Sequence, residues 1–273
     1  MLKTLKDVGL GSEVLIKEDN TYKQYILTRK DSQGCELLRK YACANTRRMN
    51  STNTTVYDGC ELDQWLTNTE TGFLSLFDSN LLSKIVNRSI STYTYGDTEC
   101  HYIQRNCYLY SYGDMFGTES TNLNPEVGVV APLMINRGTS DINIARIAKT
   151  SAEGSAVSCW LRSANSATGF WCVYFNGTTN NYVATYSSDF RPVLNVSPDT
   201  IVSDEGADII YLLPEQAASG KIYLATENTV ADIRSRLTPK SLDDILVYAL
   251  DFVNDPVDII SGGLDEYARR ITN

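Results

Sequence analysis

The sequence has one histidine in 273 residues and no Cys-x-x-Cys pair among its seven cysteines. A metal site built on several imidazoles is therefore excluded, and the close cysteine spacing of structural zinc sites is missing. Neither Gly-x-x-x-x-Gly-Lys-Ser/Thr nor Gly-x-Gly-x-x-Gly occurs, so no phosphate-cradling loop is expected. His101 follows Cys100 directly, and sequence neighbours on a strand point apart, so the two do not form a catalytic dyad. With no histidine base in place, no metal and no phosphate loop, the reading is a protein that is not an enzyme and carries no cofactor. Basic residues are few and scattered: 24 Lys and Arg against 33 Asp and Glu give a net charge of −9. That balance argues against nucleic acid as a partner, because phosphate binding relies on clustered Lys and Arg. No apolar run reaches the roughly 18 residues of a membrane span. The first residues also lack the apolar core of a secretory signal. The odd cysteine count reads as buried, reduced thiols.

The chain is instead rich in uncharged polar residues. Asn, Ser and Thr make up 70 of the 273 positions, and Tyr adds 17. Ser12–Lys17 and Tyr22–Arg29 alternate apolar with polar residues and predict a hairpin turning through Glu18–Thr21. Residues 35–44 predict another strand. A helix is expected within Asp58–Asn68, with Leu62, Trp65 and Leu66 on one face, and a second after Asp78 or Ser79. Tyr-rich strands are expected to run on through Tyr108–Phe116.

From Ser163 to Ser188 there are 26 residues without a charge, bracketed by Arg162 and Asp189. They hold twelve Asn, Ser or Thr and six aromatic residues. Phe170–Phe175 reads as a buried strand, Asn176-Gly177 as a turn with positive φ, and Tyr182–Tyr186 as a second strand. Two readings stand: a central hairpin with uncharged loops, or a recognition surface. Tyr beside Ser, Asn and Gly is the composition antibody loops use, wide amphipathic contact with adaptable hydrogen bonds. Beyond Val196 the character changes. Residues 197–273 carry 6 basic and 14 acidic residues, whereas residues 1–196 are nearly neutral with 18 and 19. Strands around Ile210 and Ile222 precede a helix at Leu242–Val253, whose apolar stripe packs either on its own domain or on another subunit.

The block Cys159-Trp-Leu-Arg-Ser-Ala, with Phe170-Trp-Cys-Val-Tyr-Phe-Asn-Gly and Phe190-Arg-Pro-Val-Leu-Asn-Val, resembles a domain family of uncharacterised function. That family is frequent in gut bacteria and their phages. The resemblance implies an α+β, C-type-lectin-like fold, the variant shared with formylglycine-generating enzymes and retroelement variable proteins. It implies a small twisted mixed sheet, two helices and long loops over residues 1–196, with 197–273 as a C-terminal α/β extension. Trp160, Arg162, Arg191 and Pro192 would be scaffold, Arg162 anchoring loop carbonyls with its planar fork. Strand alternation within this block puts Trp171, Val173 and Phe175 on one face and Tyr174 and Asn176 on the other. The ligand surface would comprise Asn165, Ser166, Tyr174, Asn176, Thr178, Asn180, Tyr182 and Tyr186. The Glu-Pro-Asn and Trp-Asn-Asp motifs of calcium-dependent lectins are absent, and so are the closely spaced cysteines of the oxidase relatives.

These features lead to an expected function: a phage virion protein that displays a lectin-like module toward host-surface glycans or proteins. Residues 197–273 would attach it to other virion proteins, and the protein would be a homo-oligomer. A purely structural capsid, tail or baseplate subunit and a bacterial adhesin are the alternatives.

Overall fold

The computed structural model describes residues 4–19, 21–117 and 146–202, together with the backbone of 210–211. In chain order the first strands are β1 (Glu13–Glu18), β2 (Thr21–Asp31), β3 (Gly34–Arg39), β4 (Arg88–Thr92), β5 (His101–Arg105) and β6 (Cys107–Tyr108). They are followed by β7 (Ala148–Lys149), β8 (Ala156–Val157), β9 (Cys159–Ala164) and β10 (Gly169–Val173). The last are β11 (Thr179–Val183), β12 (Val193–Val196) and β13 (Ile210–Tyr211). Three short helices are described: α1 (Glu61–Thr67), α2 (Ser79–Leu82) and α3 (Tyr112–Phe116). The architecture is α+β. A six-stranded sheet runs in the order β13-β1-β2-β3-β12-β6, mixed because β13 pairs with β1 in parallel while its other pairs are antiparallel. A second sheet has the order β11-β10-β9. No helix among the described residues is long and apolar enough to cross a membrane.

The alternation in β1 is the simplest case of sequence dictating position. Val14, Ile16 and Glu18 are buried while Glu13, Leu15 and Lys17 are half-exposed. A two-residue connection joins β1 to β2, with Asp19 at φ 51, a left-handed conformation that aspartate tolerates. The third strand is shorter than expected and ends at Arg39. The strand expected through Phe116 is also corrected: after β6 the chain enters α3. Ser111 Oγ accepts from Asp114 N at 2.9 Å, and the Asp114 carboxylate accepts from Ser111 N at 2.9 Å. This reciprocal cap satisfies two orphan donors and starts a helix where Tyr content alone suggested a strand. Among the described residues α3 is thus a helix beyond the two expected. Of the expected C-terminal extension only residues 197–202 and Ile210–Tyr211 fall among the described residues; the Ile222 strand and the Leu242–Val253 helix lie outside them. Residues 197–202 lie against the N-terminal turn, with Leu5 N donating to Thr200 O at 2.8 Å and Val202 buried.

A β-bulge shapes the interior. Leu27 pairs with Leu37 and Arg29 with Glu36, so Thr28 is an extra residue in β2. Without it Arg29 would share the face of Tyr25 and Leu27. With it, Arg29 turns to the opposite face, beside Glu36. There the carboxylate of Glu36, 1% exposed, meets Arg29 Nη1 at 3.3 Å and Arg88 Nε at 3.1 Å. It also accepts from Tyr108 Oη at 2.8 Å and Tyr110 Oη at 2.7 Å. The chain of charges continues outward: Arg88 Nη1 donates to Asp31 at 2.9 Å, Arg29 Nη2 to Asp114 at 3.1 Å, and Arg162 Nη1 lies 2.8 Å from Asp114 Oδ2. Three acids thus face three arginines, which is how charges survive in a low-dielectric interior.

Burial pushes Glu36 above the usual glutamate range, with Arg29 acting against it. For Asp114 burial also acts upward. The Arg162 and Arg29 guanidinia, together with the Ser111 hydrogen bonds, outweigh it and hold the carboxyl below its ordinary value. A depressed acid contributes stability that is complete above its unfolded value of about 3.9 and is lost as pH falls through the folded value. The stability gap between wild type and Asp114→Asn should therefore be flat from neutral pH to about pH 5 and close below about pH 4. Urea melts of both proteins across that range would check it, and a pH-independent gap would contradict it.

Candidate functional site

The uncharged segment is built on β9, whose six residues are all buried. Trp160 and Arg162 alternate with Cys159, Leu161 and Ser163, so each face of the strand meets other parts of the core. The Trp160 indole N–H donates to Arg47 O at 2.8 Å. Arg162 donates from Nε to Ser91 O and from Nη1 to Leu109 O, both at 2.7 Å. Arg191 Nε donates to Arg39 O at 2.9 Å, and Pro192 O accepts from Arg39 N at 2.9 Å. All four residues therefore tie β9 and the start of β12 to neighbouring strands and loops.

The aromatic strand stops sooner than expected. It ends at Val173, because Tyr174 N donates to Thr178 O at 2.7 Å and Gly177 N to Tyr174 O at 2.8 Å. Gly177, at φ 83, supplies the left-handed backbone, and Asn176 Oδ1 accepts from Thr178 N at 3.1 Å. Phe175 consequently sits in the turn and is 46% exposed instead of lying in a buried strand with Trp171 and Val173. The second strand is displaced as well: it is Thr179–Val183 and not Tyr182–Tyr186. β10 and β11 approach closely at Gly169, where a Cβ would lie 2.8 Å from Tyr182 O.

The eight residues expected on the ligand surface separate into three groups. Tyr174, Asn176 and Thr178 belong to the β10–β11 turn, where the Tyr174 and Phe175 rings lie 4.3 Å apart. Asn165 and Ser166 lie at the other end of β10, in the turn closed by Asn165 N donating to Gly169 O at 2.8 Å. Asn180 and Tyr182 share the face of Trp160 and are half-buried. The Tyr182 ring meets Trp160 edge-on at 5.8 Å, and Tyr186 stacks on Tyr182 at 4.6 Å while remaining 50% exposed.

The ring contacts lead to residues that sequence reasoning missed. Arg47, whose carbonyl holds the Trp160 indole, has its guanidinium 3.9 Å over the Trp65 ring. Among the described residues no carboxylate lies within ion-pair distance of that guanidinium. Arg47 and Trp65 line an open cleft of about 360 Å³, together with Asn45, Lys23 and the acidic Glu18 and Asp19. Tyr186, Tyr182, Trp160, Arg47 and Trp65 therefore form one connected run of contacts, with hydrogen-bond donors at the cleft end. The only sequence signals for it were the Arg47-Arg48 pair and a Trp on the face of α1. Nothing in the spacing joined them.

Three of the thiols are held in their protonated form. Burial pushes Cys43 and Cys172 to about 12 and raises Cys159 as well, so each stays protonated and weakly nucleophilic near neutral pH. His101 is exposed, with Nε2 2.8 Å from Asp97.

A family model for a domain of unknown function, DUF6273, matches residues 24–198. The chain belongs to this family. No curated protein and no solved structure matches it. The DUF6273 match begins inside β2 and ends just past β12, so it contains the whole hairpin and the ion network. It leaves out β1, β13 and the acidic C-terminal segment. Arg47, Trp65, Tyr182 and Tyr186 all fall within the DUF6273 span.

Proposed function

We propose that this DUF6273 chain is a non-enzymatic binding module of C-type-lectin-like fold that recognises a host-surface glycan or protein as part of a phage particle. The observation that carries the reading is the stack of exposed Tyr186 on half-buried Tyr182, within a segment free of charge and seated on buried Trp160. Aromatic faces pack against sugar rings or apolar side chains, and the flanking Asn, Ser and Thr supply short hydrogen bonds. The Arg47 guanidinium at the end of the run adds a charged donor for a carbonyl or hydroxyl oxygen. The lectin-like topology and the virion placement rest on the resemblance of the Trp160–Ala164 and Phe190–Val196 blocks.

The ligand assignment is tested by a glycan array and host-cell binding with Tyr182→Ala and Tyr186→Ala. Truncating a contact aromatic should weaken binding at least about tenfold, with the melting curve of Tyr186→Ala unchanged because its side chain is exposed. Binding equal to wild type in both variants would remove the tyrosine pair from the site. Mass spectrometry of purified particles tests the virion placement separately.

A further inference from the structure

The outer edge of the second sheet, unpaired among the described residues, carries a different role. In the β10–β11 hairpin the pairs Tyr174–Thr178 and Thr168–Ala184 are hydrogen-bonded, with N–H to O distances of 2.7 and 2.8 Å. Antiparallel pairs alternate between bonded and non-bonded. The bonded pairs between them are therefore Cys172–Asn180 and Phe170–Tyr182, and the N–H and C=O groups of Thr179, Asn181 and Val183 point away from β10. β11 is the outermost strand of its sheet, and among the described residues no N–H of these three has a partner. Their side chains are exposed, Val183 at 47%.

Edge strands normally carry a Lys, a Pro or a bulge that prevents pairing with another chain. The edge strand β5 carries Arg105, and that residue is engaged by Asp63 and Asp58. β11, Thr-Asn-Asn-Tyr-Val, has no charge and no proline, and its register on β10 is unbroken. We propose that β11 is the docking edge for a second copy of this chain, joined antiparallel about a two-fold axis through Asn181. Two properties select a second copy as the occupant. First, the strand is self-complementary: with Asn181 opposite its own copy, Thr179 faces Val183 of the other chain. Val183 O already accepts from Tyr186 N at 2.9 Å, so this gives two cross-strand β-branched pairs and about four inter-chain hydrogen bonds. Second, charge favours this edge. The excess of acid lies in residues 197–273, with 6 basic and 14 acidic residues, so two copies meeting through that segment set acid against acid. The 26-residue neutral segment brings two copies together without that repulsion. The joined sheets would have six strands and would present two Tyr182–Tyr186 stacks from one particle.

Sedimentation velocity of the full chain at micromolar concentration tests this. The expected result is a dimer that Asn181→Lys weakens about a hundredfold or more, because two like charges then meet at the axis. Asn181→Pro should have the same effect with an unchanged circular dichroism spectrum, since among the described residues the N–H it removes has no partner. Asn181→Thr should remain dimeric. A monomeric wild type would overturn the proposal and leave the edge to a foreign strand. A dimer that survives the Lys variant would also overturn it and move the contact elsewhere. If the proline variant misfolds, the lysine variant decides alone.

Discussion

Glu36→Ala should lower the unfolding free energy by about 3–5 kcal/mol, the usual cost of removing one partner from a buried ion network. Total stabilities of single domains are about 5–15 kcal/mol, so the change would bring the protein close to unfolding at physiological temperature. The cost comes from what remains behind. Arg29 and Arg88 would each lose a buried counter-charge, and the Tyr108 and Tyr110 hydroxyls would lose their common acceptor. Glu36→Gln keeps an acceptor oxygen and the side-chain volume but not the charge, and should fall between the two. Urea melts followed by tryptophan fluorescence would measure all three. A loss of less than about 1 kcal/mol in Glu36→Ala would mean that water reaches the site and solvates the two arginines.

Arg162→Ala should be comparably severe, again about 3–5 kcal/mol. It strips the Leu109 and Ser91 carbonyls of their donor and leaves Asp114 with Arg29 as its arginine partner. Arg162→Lys should recover little, because one ammonium cannot reach two carbonyls and a carboxylate in the directions the guanidinium fork spans. The two sites are connected through Arg29, which touches both Glu36 and Asp114. The double variant should therefore cost less than the sum of the single ones, a coupling readable from a double-mutant cycle.

Local patterns were legible in the sequence and long-range ones were not. The β1–β2 hairpin and α1 follow from period-two and helical spacing, which depend on residues within one turn or strand. α3 was signalled by Ser111 and Asp114 three apart, but the surrounding tyrosines outweighed that signal. Glu36 sits between Cys35 and Leu37 in a strand buried on both faces, and nothing nearby announces a charge hub. Its partners come from positions 29, 88, 108 and 110. The candidate site has the same character. The tyrosines of the neutral segment were visible as composition, whereas their connection to Arg47 and Trp65 depends on a hydrogen bond spanning 113 positions. The limits of β10 and β11 were misplaced because Tyr174 and Phe175 look like strand residues. The Asn176-Gly177 turn draws them out of the sheet.

The bulge at Thr28 has a consequence for comparing this strand with its relatives. A strand is an odd-even code, and an unpaired residue shifts its phase. Up to Leu27 odd positions face one side; from Arg29 onward they face the other. Patterns matched by hydrophobic alternation alone would place Arg29, Lys30 and Asp31 on the wrong sides. A relative with one residue fewer at this point would keep Arg29 beside Glu36, while one with the same length and a regular ladder would not. In this strand, residue count at one position determines where the charges go.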